Sequence, residues 1–304
     1  MSKCFNTKNL GEMEMFLGMR ITRDRKNRTL WLDQQQYLER TLTKFGIPNA
    51  KHRPVSIPLD GYENLTPPSG DEERIDPREF SMIIGSLMFA MVYTRPDIAF
   101  ALGRLSQYMK EPTKKHGYAL KKLMRYLRYT VDYRLRFSPK ETVTLVVYSD
   151  ADWATDKVDR KSISGGLGML CGAAIFWLSR KQRSVSTSTA EAEYASASIV
   201  AKLGQWMAQV LRDMGYPEYV APNGITVETR GDNQGALALI KNPHLNDRSK
   251  HIDICYHHIR DLHEKHRIRT EYVPTKDMLA DGLTKPLGKG PFSNFVKMIG
   301  VGRD

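Results

Sequence analysis

The residues in this chain best able to do chemistry are carboxylates, and their spacing sorts them. Asp150 closes the apolar run Val146-Val147-Tyr148-Ser149, and Asp232 closes Glu228-Thr229-Arg230-Gly231, so each stands at the carboxyl end of a predicted strand. If those strands are neighbours, both acids leave the sheet at one edge, in the crevice where ligands of open α/β sheets bind. Like charges gathered at one rim repel, and a divalent cation is the natural reason to gather them. A predicted helix from 189 to about 214 offers two glutamates. Steps of three and four from Glu193 reach Ala197, Val200, Gly204, Met207 and Leu211, an apolar stripe that must face the sheet. The same steps from Glu191 reach Ala195, Ser198, Lys202, Gln205 and Gln209, the wet face. Ser188 three residues before Glu191 makes a capping box, which accounts for Glu191 without chemistry. A carboxylate heading a buried stripe is costly without a partner, so Glu193 is the favoured ligand. Asp281, in Leu279-Ala280-Asp281-Gly282-Leu283, reads equally as a ligand and as a surface acid on a short helix.

The elements that must position these acids follow from pattern. After Pro139 the order is a strand at 142–149, a hairpin at 164–170 and 173–178, the long helix, a strand at 225–229, helices at 233–241 and 252–265, a strand at 268–273 and a final helix at 277–284. That order predicts an α/β domain, a mixed five-stranded sheet with flanking helices, over residues 139–304. Ahead of it, strands at 13–23 and 29–32 form a hairpin and Tyr37, Leu38, Leu42 and Phe45 recur at helical spacing. Residues 54–76, rich in Pro, Gly, Asp and Glu, read as a linker or long connection. Residues 77–138 read as helices, the last carrying Lys114, Lys115, Lys121, Lys122, Arg125 and Arg128 beside the apolar Leu120, Leu123, Met124 and Leu127. Such a helix packs one face and offers the other either to phosphates, with Lys121 and Arg125 as candidates, or simply to water.

The 304 residues carry a formal net charge of +12, which favours a polyanionic partner through release of condensed counterions. No apolar run is long enough to span a bilayer, and no signal-peptide pattern follows Met1, so an intracellular, non-membrane protein is expected. Three widely separated cysteines, Cys4, Cys171 and Cys255, with no CxxC spacing, argue against both a disulfide framework and a cysteine zinc site.

Five blocks in order carry a resemblance: Tyr148-Ser149-Asp150-Ala151-Asp152-Trp153-Ala154, Ser188-Thr189-Ala190-Glu191-Ala192-Glu193-Tyr194, Asp232-Asn233-Gln234, Lys250-His251-Ile252-Asp253-Ile254, and Leu279-Ala280-Asp281-Gly282-Leu283-Thr284-Lys285-Pro286-Leu287. Together they resemble the ribonuclease H of copia-class LTR retrotransposons. The resemblance implies a ribonuclease H-like fold, hydrolysis of RNA paired with DNA, and Asp150, Glu193, Asp232 and Asp281 as four acidic metal ligands, with Asp152 as second choice for the first block. Two Mg²⁺ ions about 4 Å apart, or Mn²⁺, suit an all-oxygen site serving in-line phosphodiester hydrolysis. Asn233 and Gln234 are candidates for reading 2′-hydroxyls, with helix capping as the competing role. Lys250 and His251 are candidates for nucleic-acid contact. His251, Cys255 and His258 share a helical face that zinc could use, although packing accounts for them better because no fourth ligand is evident.

Upstream, Lys8-Asn9-Leu10-Gly11-Glu12 with Phe16-Leu17-Gly18-Met19 resembles the end of a reverse transcriptase palm, and Tyr93-Thr94-Arg95-Pro96-Asp97-Ile98-Ala99 its connection to ribonuclease H. The implied organisation is a small α+β and helical reverse-transcriptase remnant at 1–53, the linker, the connection at 77–138 and the ribonuclease H-like domain. The missing upstream part of a Pol polyprotein is an expected partner. The alternative is a truncated or host-retained fragment that binds nucleic acid without cutting it. No Tyr-x-Asp-Asp motif occurs in the chain. Primer-extension assays are therefore expected to show no templated synthesis, and labelled product would refute that expectation.

Overall fold

The computed structural model describes residues 11–47, 54–61, 65–139, 143–154, 159–242 and 253–303, leaving aside the side chains of 253–257. The candidate contacts Lys250 and His251 lie outside the described residues, and so does the zinc geometry that needed His251 and Cys255.

Two five-stranded sheets organise the chain. The first holds β1 (Met15–Phe16), β2 (Met19–Asp24), β3 (Thr29–Asp33), β4 (Arg134–Phe137) and, from the far end of the sequence, β10 (Val301–Gly302), in that order. The β2–β3 turn closes where Asp24 accepts the Asn27 amide at 3.0 Å. Helices α1 (Gln35–Lys44), α2 (Pro77–Tyr93), α3 (Ala99–Ser106) and α4 (Lys114–Tyr129) share one buried cluster with Leu135 of this sheet. Helix α2 starts cleanly because Asp76 caps it through the Arg78 amide at 2.8 Å and Pro77 needs no donor there.

The break after α2 is built around a fully buried ion pair. Arg95 grips Asp97 through two hydrogen bonds of 2.9 and 2.7 Å and donates to the Thr130 carbonyl at 2.8 Å, while the Tyr126 hydroxyl donates to Asp97 at 2.6 Å. An ion pair this deep is tolerable only when its hydrogen bonds are met, as they are here. It fastens the α2–α3 corner to the end of α4.

Two features of this half are sharper in the structure than in the sequence. Residues 54–76 do not hang free: Leu59 and Leu65 are buried, and the Leu65 carbonyl accepts from the Tyr108 hydroxyl. The basic face of α4 is largely spent holding that segment. Lys114 pairs with Glu73 at 2.5 Å, Lys115 with Glu72 at 2.8 Å, and Lys122 with Asp60, while Arg128 donates to the Ile47 carbonyl at 2.6 Å. Lys121 remains exposed and Arg125 half-buried.

The second sheet runs β7 (Ala173–Lys181), β6 (Ile163–Leu170), β5 (Val146–Asp152), β8 (Val227–Gly231), β9 (Ile268–Tyr272). The first three pair antiparallel, and β5, β8 and β9 are parallel. Numbered from β5, the order is 3-2-1-4-5 in a mixed α/β layer, the ribonuclease H-like fold. Helix α5 (Thr189–Asp213) lies on one face, close enough at Gly204 that a Cβ there would stand 3.1 Å from Val147. Helices α6 (Gln234–Lys241) and α7 (Asp253–Glu264) complete that layer.

The opposite face is where the two halves meet. Val146, Tyr148 and Leu167 share one buried cluster with Leu102, Leu123 and Leu135, so a single core runs across residue 139. The expected helix at 277–284 is instead a tight 3-10 stretch at Leu279–Leu283, because Gly282 must sit under the Phe295 ring, 2.6 Å from where a Cβ would stand. Beyond it an element absent from the sequence reading, α8 (Lys289–Met298), stacks Phe292 edge-on against Tyr126 and delivers β10 to β4. Among the described residues no helix is long and apolar enough to cross a membrane.

Because Phe295 is buried in the shared core, Phe295→Ala should cost about 3–5 kcal/mol. Urea unfolding followed by far-UV circular dichroism and tryptophan fluorescence should then show one coincident transition at a lower midpoint; two separated transitions would mean that the halves are independent cores.

Candidate active site

Asp150 sits inside β5 and not at its end, because pairing with β6 continues to Asp152 opposite Ile163. Pairing with β8 stops earlier, at Tyr148 opposite Arg230, so that Asp150 and Asp232 emerge level with each other on adjacent parallel strands. Glu193, in the first turns of α5, reaches the same point. Carboxylate oxygens of Asp150, Glu193 and Asp232 all lie within 4.8 Å of one another.

Three features hold the acids there. Ser196 donates to the Asp150 carbonyl at 2.8 Å and lies 3.2 Å from the Gly165 carbonyl, pinning the head of α5 across β5 and β6. Gly165, directly opposite Asp150, leaves room for the 279–283 turn: a Cβ there would stand 2.5 Å from Thr284 and 2.9 Å from the Ala280 carbonyl. That close approach lets the Thr284 hydroxyl donate to the Asp150 carboxylate. Asp232 is steadied by the Thr275 hydroxyl at 2.8 Å.

Asp281, the expected fourth ligand, stands beside these three and not among them. It borders Asp150 but is engaged by Lys285, whose Nζ lies 2.8 Å from its carboxylate. Glu191 is also buried, contrary to its expected place on the wet face, because its carboxylate folds back to accept from the Thr187 amide and hydroxyl, both at 2.6 Å. This satisfies Glu191 within the helix cap. Asp152 is half-buried on the strand beyond Asp150. Asn233 caps α6 by accepting the Ala236 amide at 2.9 Å, and Gln234 is exposed beside it. Sequence reading missed Thr284, Thr275, Gly165 and Lys285; only the Thr284-Lys285 pair inside the fifth motif block carried any signal.

The electrostatics follow from burial and crowding. Burial first, then the charges of Asp150 and Asp232, push the Glu193 carboxyl up to about 9, against the opposing pull of the Ala151 amide. Burial likewise raises Asp150 to about 7, with Asp281 and Asp232 adding to it and the Thr284 hydroxyl working against it. Asp281 is raised by burial and held back by Lys285. Three oxygen donors converging in a partly dry pocket, each made costly by the others, fit a hard divalent cation such as Mg²⁺.

This geometry defines a ribonuclease H-like domain with an acidic cluster at its β5/β8 rim. The chain is 39% identical over 308 residues to the Pol polyprotein of transposon TNT 1-94 from Nicotiana tabacum, matching 99% of this chain and 22% of that protein. It is also 39% identical over 303 residues to the Pol polyprotein of transposon RE1 from Arabidopsis thaliana, across 100% of this chain and 20% of that one. The chain belongs to the retrovirus-related Pol polyproteins of copia-type transposons and spans about a fifth of the length of these relatives. An uncharacterized mitochondrial protein of Arabidopsis thaliana is 30% identical over 206 residues, 83% of its length. No protein-family model matches the chain. Among solved structures, LC11-RNase H1 aligns with 46% of this chain and 92% of its own at 15% identity and a TM-score of 0.35; the fold assignment rests on strand order.

Because the folded-state values of Glu193 and Asp150 lie above ordinary carboxylate values, the native state retains protons that the unfolded chain gives up. Metal-free stability should therefore fall as pH rises from about 3.8, the ordinary aspartate value, through about 9, with Asp150 contributing up to about 7 and Glu193 beyond it. In EDTA, Glu193→Gln should melt several degrees above the natural chain at pH 8 and lose that advantage at pH 5. A variant less stable than the natural chain at pH 8 would contradict the assigned cost.

Proposed function

We propose that this chain hydrolyses the RNA strand of RNA/DNA hybrids, as the ribonuclease H portion of a copia-type Pol polyprotein. The observation that carries the reading is the convergence of Asp150, Glu193 and Asp232 at the β5/β8 rim of a ribonuclease H-like sheet. In this reading residues 139–304 form the nuclease, 1–53 and 77–138 are the reverse-transcriptase remnant and its connection, and the upstream polymerase portion is a partner.

Asp150, Glu193 and Asp232 would hold Mg²⁺, or Mn²⁺ in its place, with Asp281 beside them. Bound divalent ions supply the Lewis acidity that activates water and stabilises the leaving 3′ oxygen. The chain's own groups do the rest. The Thr284 hydroxyl fixes the Asp150 carboxylate in one orientation, and the Thr275 hydroxyl does the same for Asp232. Lys285, 2.8 Å from the Asp281 carboxylate, works against the burial that raises that carboxyl. Asn233 spends its side-chain oxygen on the cap, which leaves its amide nitrogen and the exposed Gln234 to donate to 2′-hydroxyls across a wide minor groove.

An end-labelled RNA/DNA hybrid incubated with the purified chain in Mg²⁺ should be cut in the RNA strand only. EDTA should abolish cutting, and Asp150→Asn or Glu193→Gln should lower it by more than about a hundredfold. Thr284→Val, which removes only the orienting hydroxyl, should cost about 10–100-fold with the fold intact. Tight binding of the hybrid with no cutting in any condition would support the silent-fragment alternative instead.

A further inference from the structure

Between the two sheets runs a cleft of about 1130 Å³. Its two walls come from different halves of the chain. Trp31 and Arg136 are direct cross-strand partners on β3 and β4, facing away from the core side held by Leu32 and Leu135. Tyr148 and Arg230 are register partners on β5 and β8 and line the other wall. Each stands two residues before Asp150 or Asp232 on the same strand face, which is about 7 Å along a strand. Lys276, also lining the cleft, follows the threonine that binds Asp232. The cleft thus comes within about two residues of the carboxylate rim, although none of the four acids lines it.

The lining is strongly basic. Arg136, Lys276 and Lys297 come from three separate segments, are all exposed, and make no ion pair among the described residues. Arg230 is answered by Glu228 at 2.6 Å and held to the Tyr148 hydroxyl. Asp277 is the one acid among the described residues lining the cleft. Three cations without an ion pair among the described residues and the partly exposed Trp31 indole, in a walled cleft where the Tyr148 ring is buried under Arg230, form a combination that suits single-stranded nucleic acid, with charge following the phosphates and the indole taking a base.

We propose that this cleft holds one unpaired strand of nucleic acid continuing from a hybrid seated at the carboxylates. The proposal rests on the hydrolytic reading above for where that hybrid sits. Walls on two sides favour a strand over a duplex, and lining from both halves gives the upstream sheet a part in binding the substrate.

The test compares binding of a blunt RNA/DNA hybrid with the same hybrid carrying an unpaired DNA tail at either end, by fluorescence anisotropy in EDTA, where nothing turns over. One tail polarity should tighten binding about tenfold, the worth of about one stacked base. It should also steepen the salt dependence by about 0.7 for each phosphate engaged. Arg136→Glu with Lys297→Glu should bring the ratio of tailed to blunt affinity close to one; the Arg136→Gln, Lys297→Gln pair should reduce it with less perturbation of fold. A natural chain indifferent to both tails, or variants that keep the full ratio, would overturn the proposal. Cutting of the blunt hybrid in Mg²⁺ by the same preparation reports separately on the hydrolytic reading, so the two can fail independently.

Discussion

Everything in the second sheet answers to the crowding of Asp150, Glu193 and Asp232. Two full negative charges 4.8 Å apart would repel by roughly 3 kcal/mol at an effective dielectric of about 20, and the metal-free cluster meets that cost in part by raising the Glu193 and Asp150 carboxyls so that they hold their protons. A cost of that size, set against a domain stability of about 5–15 kcal/mol, persists only where the surrounding structure imposes it. Here the imposition is visible. Ser196 clamps α5 to β5 and β6, the bare Gly165 admits the 279–283 turn, and Thr284 holds Asp150 to the position that this approach creates.

The stability that meets this cost comes from the rest of the molecule. The fully satisfied Arg95–Asp97 pair fixes the corner between α2 and α3 and ties it to α4, and Tyr126, part of the same network, carries Phe292 of α8 on its ring. Through α8 and β10 the chain after the site turns back into the first sheet. The 279–283 turn, which brings Asp281 and Thr284 to the cluster, is thereby held from both ends: by the β6 strand beneath it and by Phe295 against Gly282. Site and upstream half are mechanically one piece, which is why the core does not divide at residue 139.

Local pattern made part of this legible. Alternating and helical periodicities placed the strands and the long helix, and the contrast between the stripes through Glu193 and Glu191 separated a cluster acid from a capping one. Glu191 nevertheless turned out buried, because a cap that draws its own carboxylate back over Thr187 covers it, an effect invisible to a helical wheel. Thr284 meets Asp150 across 134 positions, and no periodicity encodes such a contact. The ion pairs of the basic helix were hidden for the same reason: the acids that meet Lys114, Lys115 and Lys122 are Glu73, Glu72 and Asp60, in a stretch too polar in composition to announce them. Lys285 was visible as a residue of the fifth motif block, but its pairing with Asp281 depends on a 3-10 turn that reads as ordinary helix in sequence.

The central claim is that the carboxylates are gathered to hold a divalent cation. Crystals grown with Mn²⁺ and measured at the manganese absorption edge test it most directly. The account predicts an anomalous peak bounded by the carboxylates of Asp150, Glu193 and Asp232, and its loss in Glu193→Gln. Well-diffracting crystals with no peak there, or with manganese bound only elsewhere, would contradict it.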